Sequence, residues 1–428
     1  MAYTTQASPV QRLLSVAAAA ALVAVLALVF VLWRQLSVPA LPALNSPQPV
    51  ASSALVERGA YLALAGNCAG CHSARGGQAY AGGRAIPTPF GTVFASNLTP
   101  DAETGLGRWS AEAFWRAMHH GQSRDGRLLV PAFPYDSYTR ISRADSDALY
   151  AFLGSLPAVS QANRPHALRW PYNTQFALAT WRTLYFEPQA FVPDTTQNAE
   201  WNRGAYLVRG LGHCAACHSA RDALGGPAGD LAGGRLPQLA WLAPSLRAES
   251  EAGVQHWDTG RTVELLQRGT TTGASVMGPM AEVVFESTQH LSSADLRAMA
   301  LYLQALEPQP VSQPVFEPAR GEQLALGEKV YEQNCVDCHG AQGQGALGAY
   351  PALAGNRAVT LAQAGNTVLA VLGGGFAPAT AGNPQPYGMP PYRTLLTDAE
   401  IAAVVTHLRQ SWGNRASAVR PHDVQRLR

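Results

Sequence analysis

All six cysteines of the 428-residue chain lie in three copies of the pattern Cys-x-x-Cys-His. The copies are CAGCH at residues 68–72, CAACH at residues 214–218 and CVDCH at residues 335–339. This pattern is the attachment sequence of c-type haem, in which two thiols form thioethers and the next histidine lies under the iron. The sequence therefore predicts three covalently bound haem c groups. The predicted thioethers come from Cys68, Cys71, Cys214, Cys217, Cys335 and Cys338, and the predicted iron ligands are His72, His218 and His339.

Other uses of paired cysteines explain the pattern less well. A structural zinc site commonly joins two CxxC pairs that lie close together in the chain. Here 146 and 121 residues separate the first cysteines of successive copies. A redox dithiol or a disulfide uses the two cysteines but gives no reason for the histidine. Because the histidine follows in every copy, haem attachment is favoured.

A methionine commonly supplies the second axial ligand of such an iron and raises its reduction potential. We expect it in the loop before the last helix of each haem unit. The third unit offers Met389 in the segment GMPPY. The second unit offers Met280 in VMGPMAEVV, with Met277 as the alternative.

The first unit departs from this pattern. Its corresponding loop, LLVPAFPYDSY, places Phe133 where a ligand is expected, and phenylalanine does not bind iron. The unit's only methionine is Met118, in the predicted helix AEAFWRAMHHG beside His119 and His120. Met118 is therefore the first candidate for the ligand. Ligation by a histidine and a five-coordinate iron, which would bind small ligands, are the alternatives.

Sequence repeats around the pentads predict the fold. RGAYL precedes the first two pentads and AGGR follows both, while SRADSDALYAFLGSL (142–156) aligns with SSADLRAMALYLQAL (292–306). The third copy is looser and ends with TDAEIAAVVTHLRQSW (397–412). Each unit is predicted to begin with a helix that runs into the pentad, to continue through a long Gly/Pro-rich middle and to end with a closing helix. A Ser or Thr at the start of the closing helix is its predicted cap.

The predicted fold class is mostly α, with three tandem class I cytochrome c domains after an N-terminal transmembrane helix. The expected segments are domain 1 (51–165), an aromatic inter-domain segment (166–195), domain 2 (196–310), domain 3 (318–412) and a basic, solvated C-terminal tail (413–428).

The N-terminus (1–36) is predicted to anchor the chain in a membrane. Residues 13–33 contain one serine and no charge, and as a helix they would span roughly 31 Å, enough to cross a bilayer. A cleaved signal peptide is the alternative. Arg12 and Arg34 flank the segment, so the positive charges do not decide its orientation. Haem is attached by this pattern outside the bacterial cytoplasmic membrane, so the haem units are expected on the periplasmic side, after a Pro-rich tether at residues 37–50.

Composition excludes several function classes. The net charge is +2 and Lys329 is the only lysine, so the basic stripe that nucleic-acid binding needs is missing. No GxGxxG follows a predicted strand, and no cysteine is left to bind molybdenum or an iron–sulfur cluster. We therefore expect no chemistry on an organic substrate in this chain alone.

The sequence resembles the three-haem cytochrome c subunits of bacterial membrane-bound dehydrogenases that act on alcohols, aldehydes or gluconate, and of some nicotinate- or isoquinoline-type molybdenum hydroxylases. The resemblance covers roughly residues 50–412 and is carried by RGAYLALAGNCAGCHSA, SNLTPDAETGLGRWS, SRDGRLLVPAFPYDSYT, RGAYLVRGLGHCAACHSARD, MGPMAEVVFESTQHLS and GMPPY. Alcohol-dehydrogenase members tend to have PAMPY where this chain has PAFPY, which looks more like the cytochromes paired with molybdenum enzymes.

The resemblance implies an electron-transfer subunit. Such subunits accept electrons from a periplasmic dehydrogenase subunit of molybdenum, PQQ or FAD type, in some cases with a small iron–sulfur subunit, and pass them to ubiquinone. The family's methionine positions map onto Met280 and Met389. Two alternatives are a haem enzyme that acts on peroxide or another small ligand at an open first haem, and a mobile cytochrome that donates to a terminal oxidase.

The segment RWPYNTQFALATWRTLYFEPQAFVP (169–193) fits neither neighbouring haem unit. Because Trp and Tyr are favoured at protein interfaces and at membrane surfaces, one hypothesis is that it packs on the partner subunit or on the membrane. The alternative is a buried linker between domains.

Overall fold

A computed structural model describes residues 8–37, 51–236, 238–309, 315–346 and 348–428. The predicted tether lies outside the described residues, apart from Ser37. Helix α1 (Pro9–Leu36) begins with a capping box between Ser8 and Gln11. It is long and apolar enough to cross a membrane. No residue in its most apolar stretch is buried against the rest of the protein. The prediction of an N-terminal apolar helix is confirmed.

We call the segments around the three CxxCH pentads units one, two and three. The helices of unit one are α2 (Ser53–Ala65), α3 (Cys68–His72), α4 (Ala111–His120), α5 (Tyr135–Tyr138) and α6 (Arg143–Ser155). Strands β1 (Ala85–Thr88) and β2 (Gly91–Phe94) form a hairpin, to which β3 (Ala167–Leu168) adds antiparallel to β2. Helix α7 (Gln175–Tyr185) follows and packs against α1.

In unit two, the first helix runs directly into one turn of π-helix. The helical segments are α8 (Ala199–Tyr206), the π-helix Leu207–Leu211, α9 (Ala215–His218), α10 (Thr259–Arg268), α11 (Pro279–Glu286), the 3-10 turn Thr288–His290 and α12 (Ser293–Gln304). Three short hairpins pair β4 (Ala220–Arg221) with β5 (Pro227–Ala228), β6 (Gly234–Leu236) with β7 (Trp241–Ala243), and β8 (Thr270–Thr271) with β9 (Ala274–Ser275).

Unit three repeats the order of a long helix, the pentad and a closing helix. Its helices are α13 (Gly321–Asn334), α14 (Val336–His339), α15 (Arg357–Thr360), α16 (Gly365–Gly373), α17 (Asp398–Gln410) and α18 (Pro421–Gln425), and β10 (Gly375–Phe376) pairs with β11 (Gly388–Met389). The closing helices α6, α12 and α17 are capped by Ser142, Ser292 and Thr397, as the sequence predicts.

In every unit the helix before the pentad crosses the closing helix at a glycine. A Cβ on Gly59 would overlap the carbonyl of Ala148, one on Gly204 that of Ala298, and one on Gly327 that of Ala403. The two backbones therefore touch, which fixes where the pentad begins relative to the closing helix. The first cysteine follows this glycine by nine positions in unit one, by ten in unit two and by eight in unit three. The π-helical turn in unit two, which takes more residues than an α-turn, lies within that longer stretch.

The described residues contain two large cores. One is shared by units one and two and includes Leu62, Leu149, Leu207 and Leu296. Unit three has its own core around Val330, Leu372 and Val405. Units one and two therefore share one core, and unit three has a core of its own.

The C-terminal tail differs from the prediction. The sequence predicts a solvated extension over residues 413–428, but Val419 and Val424 are buried in the core of unit three. Arg428 Nε also donates to Asp398 Oδ1 at 2.6 Å. The expectation was wrong because the apolar residues among the arginines are few and widely spaced, whereas the surface they cover is built from distant parts of the chain.

Candidate haem-binding sites

Each pentad forms a short helical turn just after the first helix of its unit. Its two cysteines are one turn apart, the first half-buried and the second exposed, in all three units. Each pentad thus offers a pair of thiols with the same pattern of exposure. This arrangement matches a planar group that is attached along one edge and faces the protein elsewhere.

The three pentad histidines share one hydrogen-bond pattern. Nδ1 of His72 lies 2.7 Å from the carbonyl oxygen of Ser96, and Nδ1 of His218 lies 2.7 Å from that of Pro244. Nδ1 of His339 lies 3.0 Å from the carbonyl oxygen of Pro351. Since a carbonyl only accepts, Nδ1 must carry the proton and donate it, which leaves the Nε2 lone pair available to a metal.

Burial favours the neutral form of these rings. It lowers the pKa of His72, His218 and His339, although the hydrogen bond to each carbonyl raises it in part. A neutral imidazole held through Nδ1 is the form that ligates metals, and the carbonyl partner fixes the ring orientation. The histidines therefore fit the proximal position of a haem.

The cysteines do not resemble reactive thiolates. Burial, followed by the second thiol of each pair, raises the pKa of Cys68 and of Cys214 to about 12 and that of Cys335 to about 11. A catalytic dithiol needs the opposite shift. Among the described residues, no group of three or more His, Cys, Asp or Glu side chains could hold a metal ion by itself. The donor set fits covalent haem attachment better than zinc or dithiol chemistry.

The two methionines predicted as distal ligands are both half-buried. Met280 is half-buried near the start of α11, after Gly278 at φ 54°. Met389 is half-buried in β11, opposite Gly375. By contrast, Met299 is only 4% exposed in the shared core. The assignments of Met280 and Met389 as ligands stay predictions.

Met118 lies in a different environment. It is 6% exposed in the shared core, three residues before Gly121, which ends α4 at φ 59°. In unit two, Leu266 stands three residues before Gly269, which ends α10 at φ 76°, and packs on the same core. Met118 thus occupies the place of an apolar packing residue. Its assignment as the distal ligand of the first haem stays a prediction, and this packing does not support it. Of the neighbouring candidates, the His119 ring stacks on Trp115 at 4.4 Å.

The loop that carries Phe133 does reach the first pentad. The Phe133 ring lies 5.3 Å from that of Tyr138, whose hydroxyl donates to the carbonyl of Gly66 at 3.2 Å. Burial and, next, the nearby Cys68 thiol raise the pKa of Tyr138. Phe133 therefore lies in the loop expected to face the first haem.

Arginines in the repeated AGGR segments join the units, a role that sequence analysis did not assign. Arg84 forms an ion pair with Glu282 on α11, with Nη2 and Oε2 3.0 Å apart, and also donates to the carbonyl of Gly70 inside the first pentad. Arg235 donates to Gln363 of unit three. Arg84 therefore links the first pentad to helix α11 of unit two.

Comparison with known proteins gives matches over most of the chain. Residues 56–157 and 324–412 match the family model for cytochrome c. The cytochrome c subunit of alcohol dehydrogenase (quinone) from Gluconacetobacter polyoxogenes is 38% identical, over 89% of this chain and 85% of that protein. The gluconate 2-dehydrogenase cytochrome c subunit from Pantoea cypripedii is 37% identical, over 88% of this chain and 90% of its own length. A nicotinate dehydrogenase subunit from Pseudomonas putida is 41% identical over 84% of this chain but only 30% of that protein.

Proposed function

The chain belongs to the cytochrome c subunits of quinone-linked dehydrogenases, and from this premise we propose that it is a three-haem electron-transfer subunit between a periplasmic dehydrogenase and membrane ubiquinone. Cytochrome c domains carry covalently bound haem c, whose iron accepts and donates one electron at a time. The count of three haems is part of the proposal. It is supported by the common geometry of His72, His218 and His339, which is the single observation that carries it.

In this proposal each unit is one class I cytochrome c domain. The six pentad cysteines hold the haems, the three pentad histidines bind the irons, and Met280 and Met389 complete the second and third sites. Helix α1 anchors the chain, and the haem units lie on the periplasmic side because c-type haem is attached there. The ion pair of Arg84 with Glu282, together with its hydrogen bond to Gly70 of the first pentad, supports transfer between the first two units.

The partner is proposed to be the catalytic subunit of a dehydrogenase, with a molybdenum aldehyde- or nicotinate-type enzyme or a PQQ alcohol dehydrogenase as the leading types. The PAFPY loop and the 41% identity to a nicotinate dehydrogenase subunit favour the molybdenum type. An FAD-type enzyme is a further proposed partner, and a small iron–sulfur subunit is a proposed additional component of the complex.

Purification from the native membrane tests this function. We expect the mature chain to exceed its polypeptide mass by three haem groups, to copurify with a dehydrogenase subunit and, with that enzyme's substrate, to reduce decylubiquinone. A mass excess other than three haems would reject the haem count. A complex that reduces its haems with substrate but never reduces a quinone would reject the proposed acceptor.

A further inference from the structure

A cleft lies where the membrane helix meets the first haem unit. Its volume is about 390 Å³, within the range of small-molecule sites. The lining comes from the end of α1, from the residue after the α4 cap, and from α7 with the chain that follows it. The lining includes Gln35, Gln122, Arg182, Thr183, Phe186 and Glu187.

Contacts between α7 and α1 place this cleft at the boundary of the apolar segment. Leu32 packs on a small cluster that contains Leu178 and Ala179 of α7. Arg34 and Gln35, which line the cleft, come directly after the uncharged stretch that ends at Trp33. If α1 crosses the bilayer, a lipid-soluble molecule can enter the cleft at the membrane surface.

The cleft contains a buried cation that no carboxylate neutralises among the described residues. Arg182 is 4% exposed, and its Nη1 donates to the carbonyl of His120 at 2.7 Å. Its Nε donates to Gln35 Oε1 at 3.2 Å. The guanidinium also lies 4.7 Å from the centre of the Phe186 ring. A buried, incompletely neutralised cation favours a ligand with carbonyl oxygens on which negative charge develops.

Aromatic side chains connect the cleft with the loop that faces the first haem. Phe186 lies 4.7 Å from Tyr135, and Tyr135 lies 6.5 Å from Phe133. Tyr135 is fully buried, and a Cβ on Gly121, next to the cleft residue Gln122, would overlap its ring. The cleft is therefore connected through Phe186 and Tyr135 to Phe133, in the loop expected to face the first haem.

We infer that this cleft is the ubiquinone-binding site, with Arg182, Gln122 and Gln35 around the quinone oxygens and Phe186 against the ring. The inference rests on the proposed function and adds the place where the acceptor binds. Each quinone takes two electrons, delivered singly as ferrous haem becomes ferric, and two protons from periplasmic water, giving one quinol. Glu187 is exposed at the rim and can exchange protons with that water.

Binding can be measured without turnover. The purified holoprotein is irradiated with an azido-ubiquinone, and the labelled peptides are identified by mass spectrometry. We expect labelling in the segments 34–36 and 182–188, and competition by excess decylubiquinone. Labelling elsewhere, with these segments unmodified, overturns the site.

A filling variant then tests the site in the same preparation. Thr183→Trp places an indole in the cleft from an exposed position, whereas Leu184→Trp adds the same group one residue further along α7, outside the lining. We expect Thr183→Trp to abolish labelling and to slow haem reduction by decylubiquinol by about tenfold or more. Leu184→Trp should behave like the wild type, and dithionite should reduce all haems in both variants.

The outcomes separate the two proposals. If decylubiquinol reduces the wild type and Thr183→Trp equally fast, the cleft is not the quinone site and the proposed function stands. If the wild type is neither labelled nor reduced by decylubiquinol, the proposed acceptor is wrong, and the site fails with it. If Thr183→Trp leaves labelling and haem reduction unchanged and alters only the binding of anionic lipid, the cleft is a lipid site and the quinone assignment is overturned.

Discussion

The phenol of Tyr206 in unit two donates a 2.6 Å hydrogen bond to Asp145 Oδ2 in unit one, inside the shared core. The reverse contact also exists, because Tyr61 of unit one donates to Asp295 Oδ2 of unit two at 2.6 Å. Both aspartates lie in the first turn of a closing helix. Units one and two therefore exchange equivalent tyrosines, as two related halves of a symmetric pair would.

Removing one of these hydroxyls should weaken the pair. Tyr206→Phe leaves the buried Asp145 carboxylate with one partner fewer, which we expect to lower the free energy of unfolding by about 1–3 kcal/mol. Tyr61→Phe should have the smaller effect of the two, since its contact is only partly buried. Urea unfolding of the holoprotein measures both, and an unchanged midpoint for Tyr206→Phe would contradict a stabilising role.

Asp295 should make stability depend on acid pH. Burial by itself raises the pKa of Asp295, but hydrogen bonds from Arg203 and Tyr61 lower it, and the net pKa is below the ordinary value. This contribution is therefore fully present above the unfolded-state pKa of about 3.9 and is lost as the pH falls through the folded-state value. Unfolding measured between about pH 6 and about pH 2 should be less steep with pH in Asp295→Asn than in the wild type. Identical profiles would show that Asp295 does not contribute.

The glycine crossings give a prediction with a control in the same unit. Gly59→Ala forces a methyl group into the Ala148 carbonyl and should destabilise unit one by about 1–3 kcal/mol, with less haem attached. Gly154→Ala changes an exposed glycine of α6 that has open space around it, and should stabilise by about 0.4–1 kcal/mol. Equal effects in thermal unfolding and haem content would refute the crossing argument.

Met118→Leu tests the first haem. Because Leu266 fills the matching place in unit two, we expect the variant to fold with a loss below about 1.5 kcal/mol and to keep the wild-type haem spectrum. If one haem instead becomes high-spin and its potential falls, Met118 is the ligand that the sequence predicts. Binding of carbon monoxide by the wild type at one haem would support a five-coordinate iron.

Met280→Leu should change the ligation of the second haem. Loss of a thioether ligand is expected to lower the potential of one haem by tenths of a volt, within the span of about 0.8 V that axial ligands cover. The matched control is Met299→Leu, since Met299 is buried in the shared core and lies on the closing helix α12, not in the loop. Redox titration of both variants measures this, and a shift in Met277→Leu instead would transfer the assignment to Met277.

Local features of this protein can be predicted well from its sequence, whereas its long-range contacts cannot. The pentads, the capped closing helices and the apolar N-terminal helix follow from spacing and composition within a few residues. The role of Gly59 does not, because it depends on the carbonyl of Ala148 almost ninety residues away. The aromatic segment (169–193) likewise contains both buried and exposed tryptophans, which its composition does not distinguish. Trp181 is buried at 9% exposure, whereas Trp170 is 81% exposed.

The division into two cores also bears on how damage spreads through the chain. Side chains of unit one are covered only when residues up to about Leu306 are in place, because both halves of that core are needed. A defect in unit two is therefore expected to disturb the first pentad as well as the second. The third pentad lies in a unit with a core of its own, so the same defect is expected to affect it less.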